Sequence, residues 1–198
     1  MRRHSETGIT LLEEAVIPAI RVLSMIYLEW ARFQDETGRD SIAQVRQQIA
    51  THRKSDSKLN VPYMMGLLAE LYRQVGEIQA GLDALEDALR LSHLHENRWW
   101  EAELYRLQGE LWLQQEPPDH SQAEAALLRA VAVAQEQQAK SLELRAATSL
   151  ARMWRHTQQA DRARNMLEPV YQHFTEGHDT ADLQDAKALL EALSARSG

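Results

Sequence analysis

The stretch from Pro62 to His93, PYMMGLLAELYRQVGEIQAGLDALEDALRLSH, constrains this chain more than any other. Apolar residues recur at helical spacing on both sides of Gly76: Met64, Met65, Leu67, Leu68, Leu71 and Tyr72 before it, then Leu82, Leu85, Leu89 and Leu91. Ala80, Gly81, Ala84 and Ala88 are small enough to let two helix backbones approach. Asn60 is expected to cap the first helix, with Pro62 tolerated in the opening turn because its missing N–H has no partner there anyway. One such hairpin cannot bury its own apolar face. Several copies must therefore stack, which predicts a helical-repeat α-solenoid.

Weaker copies lie on both sides. The first pair is read over 9–54, with a start or kink at Pro18 and a stripe of Val22, Leu23, Ile26, Tyr27 and Trp30. Gly38 marks its turn, Ile42, Val45 and Ile49 stripe its second helix, and Thr51 to Lys58 reads as a loop. The template pair covers 60–93. The third, 97–137, is expected to start from an Asn97 cap and to carry Trp99, Trp100, Leu104, Leu107, Leu111 and Trp112 on its first helix. Pro117 and Pro118 forbid continuation into the second. The fourth pair spans 141–175, and after Gly177 a helix over 179–196, opened by Asp179 or Thr180, is expected to cover the end of the array. The domain expectation is one continuous array over 1–198.

Composition agrees. The 198 residues contain only 8 Gly and 5 Pro, and are rich in strong helix formers. A net charge of −7 argues against a general nucleic-acid surface, because phosphate binding rests on excess Lys and Arg. Zero Cys excludes disulfides, thiolate-bound zinc and thiol catalysis. No apolar run of about 20 residues is long enough to span a bilayer, and no signal-peptide core is visible, so the expectation is a cytoplasmic protein without direct membrane contact.

The small residue opening each second helix falls at Ala43, Gly81, Ala123 and Ala163, at intervals of 38, 42 and 40. That period fits several helical repeats, and residue types decide among them. Leu68, Ala69, Tyr72, Gly76, Gly81, Leu85 and Ala88 follow the tetratricopeptide order of large, small, aromatic, turn, small, large, small. Gly109, Trp112, Ala123, Leu127 and Ala130 repeat it, as do Leu150, Ala151, Trp154, Ala163 and Leu167. The fold class is all-α, a right-handed tetratricopeptide-like solenoid of about four pairs with a capping helix. Three blocks, RWWEAELYRLQGELWL (Arg98 to Leu113), SLELRAATSLARMW (Ser141 to Trp154) and FTEGHDTADLQDAKALL (Phe174 to Leu190), resemble the C-terminal repeat region of bacterial STAND-type predicted ATPases. Such proteins are often fused to a class III cyclase or a DNA-binding domain. The resemblance, over about Pro62 to Leu193, implies a sensor or scaffold arm like that of maltose-regulator-type activators. It carries over no catalytic residue.

Other chemistry is weakly signalled. Gly76 and Gly81 have phosphate-loop spacing, but Leu82 and Asp83 stand where Lys and Ser or Thr are needed. His93, His95 and Glu96 supply two or three metal ligands at most, in what reads as a solvated loop. Glu13 with Glu14, and Glu101 with Glu103, read as ordinary helix-surface charge. No enzyme, cofactor or metal is expected. Trp30, Trp112 and Trp154 fall in or beside the aromatic packing slot, whereas Trp99 and Trp100 cannot face one direction together, so one of them is the candidate for an exposed contact.

The first helix of each tetratricopeptide pair lines the concave face, and the resemblance-based register places particular side chains there. They are Arg32 in the first pair, Tyr63, Glu70, Arg73 and Gln74 in the second, Arg106, Glu110 and Gln114 in the third, and Arg145, Arg152 and Arg155 in the fourth. This mixture, basic towards the C-terminal half, suits an acidic peptide held by arginine–carboxylate pairs. The function expected is a non-catalytic protein- or peptide-binding module of a signalling ATPase or transcriptional regulator. Two alternatives stay open: a small-molecule sensor arm, which needs a deep aromatic-lined pocket, and self-assembly through a terminal repeat, which needs a large apolar end.

Overall fold

The computed structural model describes residues 23–29, 39–54 and 60–194. Every regular element among them is an α-helix, as the apolar spacing requires. The chain divides into two compact units, residues 1–100 and 101–198. The first contains the helical residues 23–29 (α1), α2 (Arg39–Arg53), α3 (Val61–Val75) and α4 (Ile78–Leu94). The second contains α5 (Glu101–Gln114), α6 (His120–Glu136), α7 (Lys140–His156), α8 (Ala160–Gln172) and α9 (Ala181–Ser194).

In the first unit α3 packs on both α2 and α4. Met64, Leu71 and Leu85 are fully buried, and Tyr72 fills the aromatic slot of the repeat. In the second unit α7 is central: α5 and α9 flank it on one side, α6 and α8 on the other. One core joins them, with Leu127, Leu144, Leu150, Trp154, Leu167 and Leu193 all essentially inaccessible. Gly109 sits where α5 crosses α6. A Cβ there would lie 2.6 Å from Cγ of Leu127 and 3.2 Å from the carbonyl of Ala123, so only glycine allows this approach.

Helix ends depart from the sequence expectation. Asn60 does not cap α3 with its side chain; it adopts the left-handed region (φ 63°), and its carbonyl accepts from Met64 N at 2.9 Å. Asn97 does not start α5 but finishes α4. Its N–H donates to the Ser92 carbonyl at 2.9 Å and its own carbonyl accepts from Ser92 Oγ, leaving Trp99 and Trp100 in a turn ahead of the helix. The polar run after Ala50 is still helical through Arg53, and His52, on the same face as Val45 and Ile49, is buried. Asp119 supplies a side-chain cap instead, accepting from Gln122 N at 2.9 Å to open α6.

Four helices end in the same way. Glu77 N donates to Tyr72 O, Asn97 N to Ser92 O, Ala139 N to Ala134 O and Gln159 N to Trp154 O, each closing a six-to-one turn around a left-handed residue. That residue is Gly76 once, but Glu96, Gln138 and Gln158 in the other three. Side-chained residues at positive φ cost free energy that glycine avoids. Gln158→Gly is therefore expected to stabilise the protein by about 0.5–1 kcal/mol in urea unfolding, despite the added freedom of the unfolded chain. Gly109→Ala is expected to do the opposite. Helix propensity favours alanine by about 1 kcal/mol, but overpacking against Leu127 costs about 1–3 kcal/mol, so the urea midpoint should fall.

Candidate functional site

The most organised polar surface is on α5, α7 and α9. Glu103, Arg106 and Glu110 share one face of α5, being three and four residues apart. Arg106 grips Glu103 through both carboxylate oxygens, at 2.9 and 2.8 Å, and reaches Glu110 Oε1 at 2.7 Å with its remaining amine. From α7, Ser149 Oγ donates to that same Glu110 oxygen at 2.7 Å, and Arg145 adds a second guanidinium to Glu103, also at 2.7 Å. One turn on, Arg152 bridges to Asp185 of α9 at 3.0 Å. Arg106, Arg145, Arg152, Thr148, Ser149, Asp182 and Asp185 surround a cavity of about 140 Å³.

Burial divides these pairs. Glu103 is 4% exposed and Arg106 only 12%, whereas Arg152 and Asp185 are 41% and 65% exposed. Glu101 and Glu103, expected on the helix surface, are both buried. They lie in the first turn of α5, where the helix dipole favours carboxylates, and Glu103 is neutralised by two arginines. The inner part of the ladder is structural cement and the outer part is exchangeable.

The other expected residues are distributed as follows. Arg32 lies outside the described residues. On α3, Arg73 pairs with both oxygens of Glu70, which also accepts from Gln74. Tyr63 hydrogen-bonds to Tyr27 and packs against Trp99 and Trp100, with ring centroids 5.3 and 5.1 Å away. Burial first, then its contact with Tyr27, raises the Tyr63 phenol well above its ordinary range, so it acts as a neutral group. Gln114 is exposed at the end of α5. Arg155 lines a separate cavity with His156, Gln158 and Ala192. Of the ten described residues among the eleven named from sequence, Arg106, Glu110, Arg145 and Arg152 come together in one ladder.

Elsewhere, Arg53 on α2 holds Asp87 on α4 at 2.7 Å. Burial works to raise the Asp87 carboxyl, but hydrogen bonds from Arg90 and Arg53 and their charges win and hold it below its ordinary value. Trp99 is the more exposed of the adjacent tryptophans, while Trp154 belongs to the core and Trp112, partly buried, packs against it. No group of three or more His, Asp or Glu side chains among the described residues is placed to hold a metal. No described helix is long and apolar enough to cross a membrane. The large exposed apolar side chains among them are Leu94, Trp99 and Leu128.

No protein-family model matches the chain, and no curated protein sequence matches it. Solved structures do. BtubC (BKLC) from P. vanneervenii superimposes with a TM-score of 0.78 at 19% identity, over 100% of this chain and 83% of that one. The nearly identical TPR-like repeats of a Podosopora anserina protein described as a kinesin light chain give 0.64 at 18% identity, over 92% and 98%. A variant of those same repeats gives 0.64 at 18%, over 88% and 93%. At these identities the likeness establishes fold alone: this is an all-α chain of the TPR-like helical-repeat class.

The sequence missed Glu103 and Asp185 as members of the ladder. The spacing Glu103, Arg106, Glu110 could signal the pairing within α5 but not the burial of Glu103 or its second partner Arg145; nothing local pointed to Asp185, whose partner is 33 residues away. Glu103→Gln should lower stability by about 3 kcal/mol, because it leaves two arginines without their shared buried carboxylate. Arg152→Ala should cost less than about 1 kcal/mol, as expected for an exposed pair. Parallel urea titrations of the two variants check the contrast.

Proposed function

We propose that the chain is a non-catalytic interaction module that holds an acidic peptide segment of a protein partner on the face formed by α5, α7 and α9. The observation that carries this reading is the placement of Arg145 and Arg152 at one small cavity, beside the hydroxyls of Thr148 and Ser149. Arg152 gives up little when it exchanges Asp185 for a partner's carboxylate, since that pair is exposed and its internal energy small. Arg145 can turn one amine outward while Arg106 keeps its ion pair with Glu103. The three arginines Arg106, Arg145 and Arg152 stand among four carboxylates, Glu103, Glu110, Asp182 and Asp185, so the face is not basic overall. It suits a ligand with a few placed carboxylates better than a polyanion. The resemblance of three sequence blocks to STAND-type ATPases supports assigning this role to the repeat arm of a signalling protein.

The test uses fluorescein-labelled peptides bearing spaced Asp and Glu residues, read by anisotropy. Each lost charge-assisted contact is worth about 1.5–3 kcal/mol, so Arg145→Ala with Arg152→Ala should weaken the best peptide at least about tenfold. The urea midpoint should barely move in the Arg152→Ala single variant and fall in the double variant, because Arg145 also pairs with the buried Glu103, and binding should weaken as salt rises. Equal affinity in wild type and double variant would sink the proposal.

A further inference from the structure

A second groove lies on the other side of α7. Lys140, Glu143 and Trp154 project about 180° around the helix axis from Arg145, Ser149 and Arg152, given about 100° per residue. Both α6 and α8 pack on α7, yet among the described residues they make no close backbone approach to one another. The space left between them is a cavity of about 600 Å³. It follows α7 from Glu143 to Trp154, which at 1.5 Å per residue is about 16 Å.

We propose that this groove docks an extended peptide segment of about five residues, with an arginine at one end and apolar residues after it; the length follows from about 3.3 Å per extended residue. Charge sets the polarity. The Glu143 carboxylate, 4% exposed, lines one end and accepts from Gln135 Nε2 at 2.9 Å and Lys140 Nζ at 2.8 Å. Lys140 is a flexible, 43% exposed side chain at the start of α7, and its ammonium occupies the position a ligand's cation would take. A guanidinium replaces it with two parallel hydrogen bonds. The opposite end is closed: Arg162 lies over the Trp154 ring at 4.0 Å and is tied to Glu124 at 2.7 Å.

The middle of the groove favours an apolar chain with a peptide backbone. Leu128, Met166 and Val170 form its walls. Pro169, inside α8, has no N–H to give to the carbonyl of Asn165, four residues earlier, and both residues line the cavity. A partner's backbone N–H is the kind of donor that could replace the one Pro169 lacks, and an alkyl amine or a lipid chain does not supply it along its length.

The probe is a fluorescein-labelled Arg-Leu-Ala-Leu-Phe amide titrated with the whole chain, beside the same peptide beginning with Glu. Lys140→Ala should tighten the arginine peptide at least threefold, because it removes the internal competitor; Glu143→Gln should weaken it at least tenfold. A purely structural Glu143–Lys140 pair predicts no tightening in Lys140→Ala, and that variant stands as the test even where Glu143→Gln fails to fold. Equal binding of the two peptides, no gain in Lys140→Ala, or no binding to Lys140→Ala at 1 mM peptide overturns the proposal. Butylguanidine competing as strongly as an unlabelled copy of the peptide overturns it in favour of a small organic cation.

Discussion

The close crossing of α5 and α6, where Gly109 admits the Leu127 side chain, is the contact on which the second unit depends. With no Cβ at that point, the two helices approach far enough for Leu127 to reach the core it shares with Leu144, Leu150 and Leu167. Small residues at Ala123 and Ala130 continue the same seam. Tight pairing of α5 with α6 then sets where α7 lands, because α7 must cover both apolar faces at once. Interiors this densely packed transmit such a constraint without slack.

The polar side of the unit follows from that placement. Once α5 and α7 are neighbours, Glu103 is removed from water, and an isolated buried carboxylate is prohibitively expensive. Arg106 and Arg145 make it tolerable by neutralising it from two helices. The pair nearest the edge, Arg152 with Asp185, carries no such burden. A single face therefore combines a buried inner part with a solvent-exposed outer part, which is what the proposed recognition role requires.

α7 itself presents two chemically different sides. One shows Arg145, Ser149 and Arg152 between α5 and α9; the other shows Lys140, Glu143 and Trp154 between α6 and α8. Helical periodicity produces this division directly, since residues three, four and seven apart share a side. Between the two sides, Leu144, Ala147, Leu150 and Ala151 are buried in the core.

Among the described residues, the helices after residue 60, the breaks at Gly76 and at Pro117–Pro118 and the aromatic slots at Tyr72 and Trp154 were legible in the sequence, because periodicity and backbone restriction are local properties. The order of small and large residues was enough to name the repeat class. Local chemistry was misleading at the helix ends: Asn60 and Asn97 have the right side chains for capping, yet Asn60 opens α3 in the left-handed region without a side-chain cap and Asn97 closes α4. Glu96, Gln138 and Gln158 adopt the conformation of Gly76 without any glycine to announce it. The fate of the charges was decided only by tertiary structure. Whether a glutamate on a helix is solvated, like Glu86, or buried between two arginines, like Glu103, depends on which helix packs against it, and no spacing within one helix contains that information.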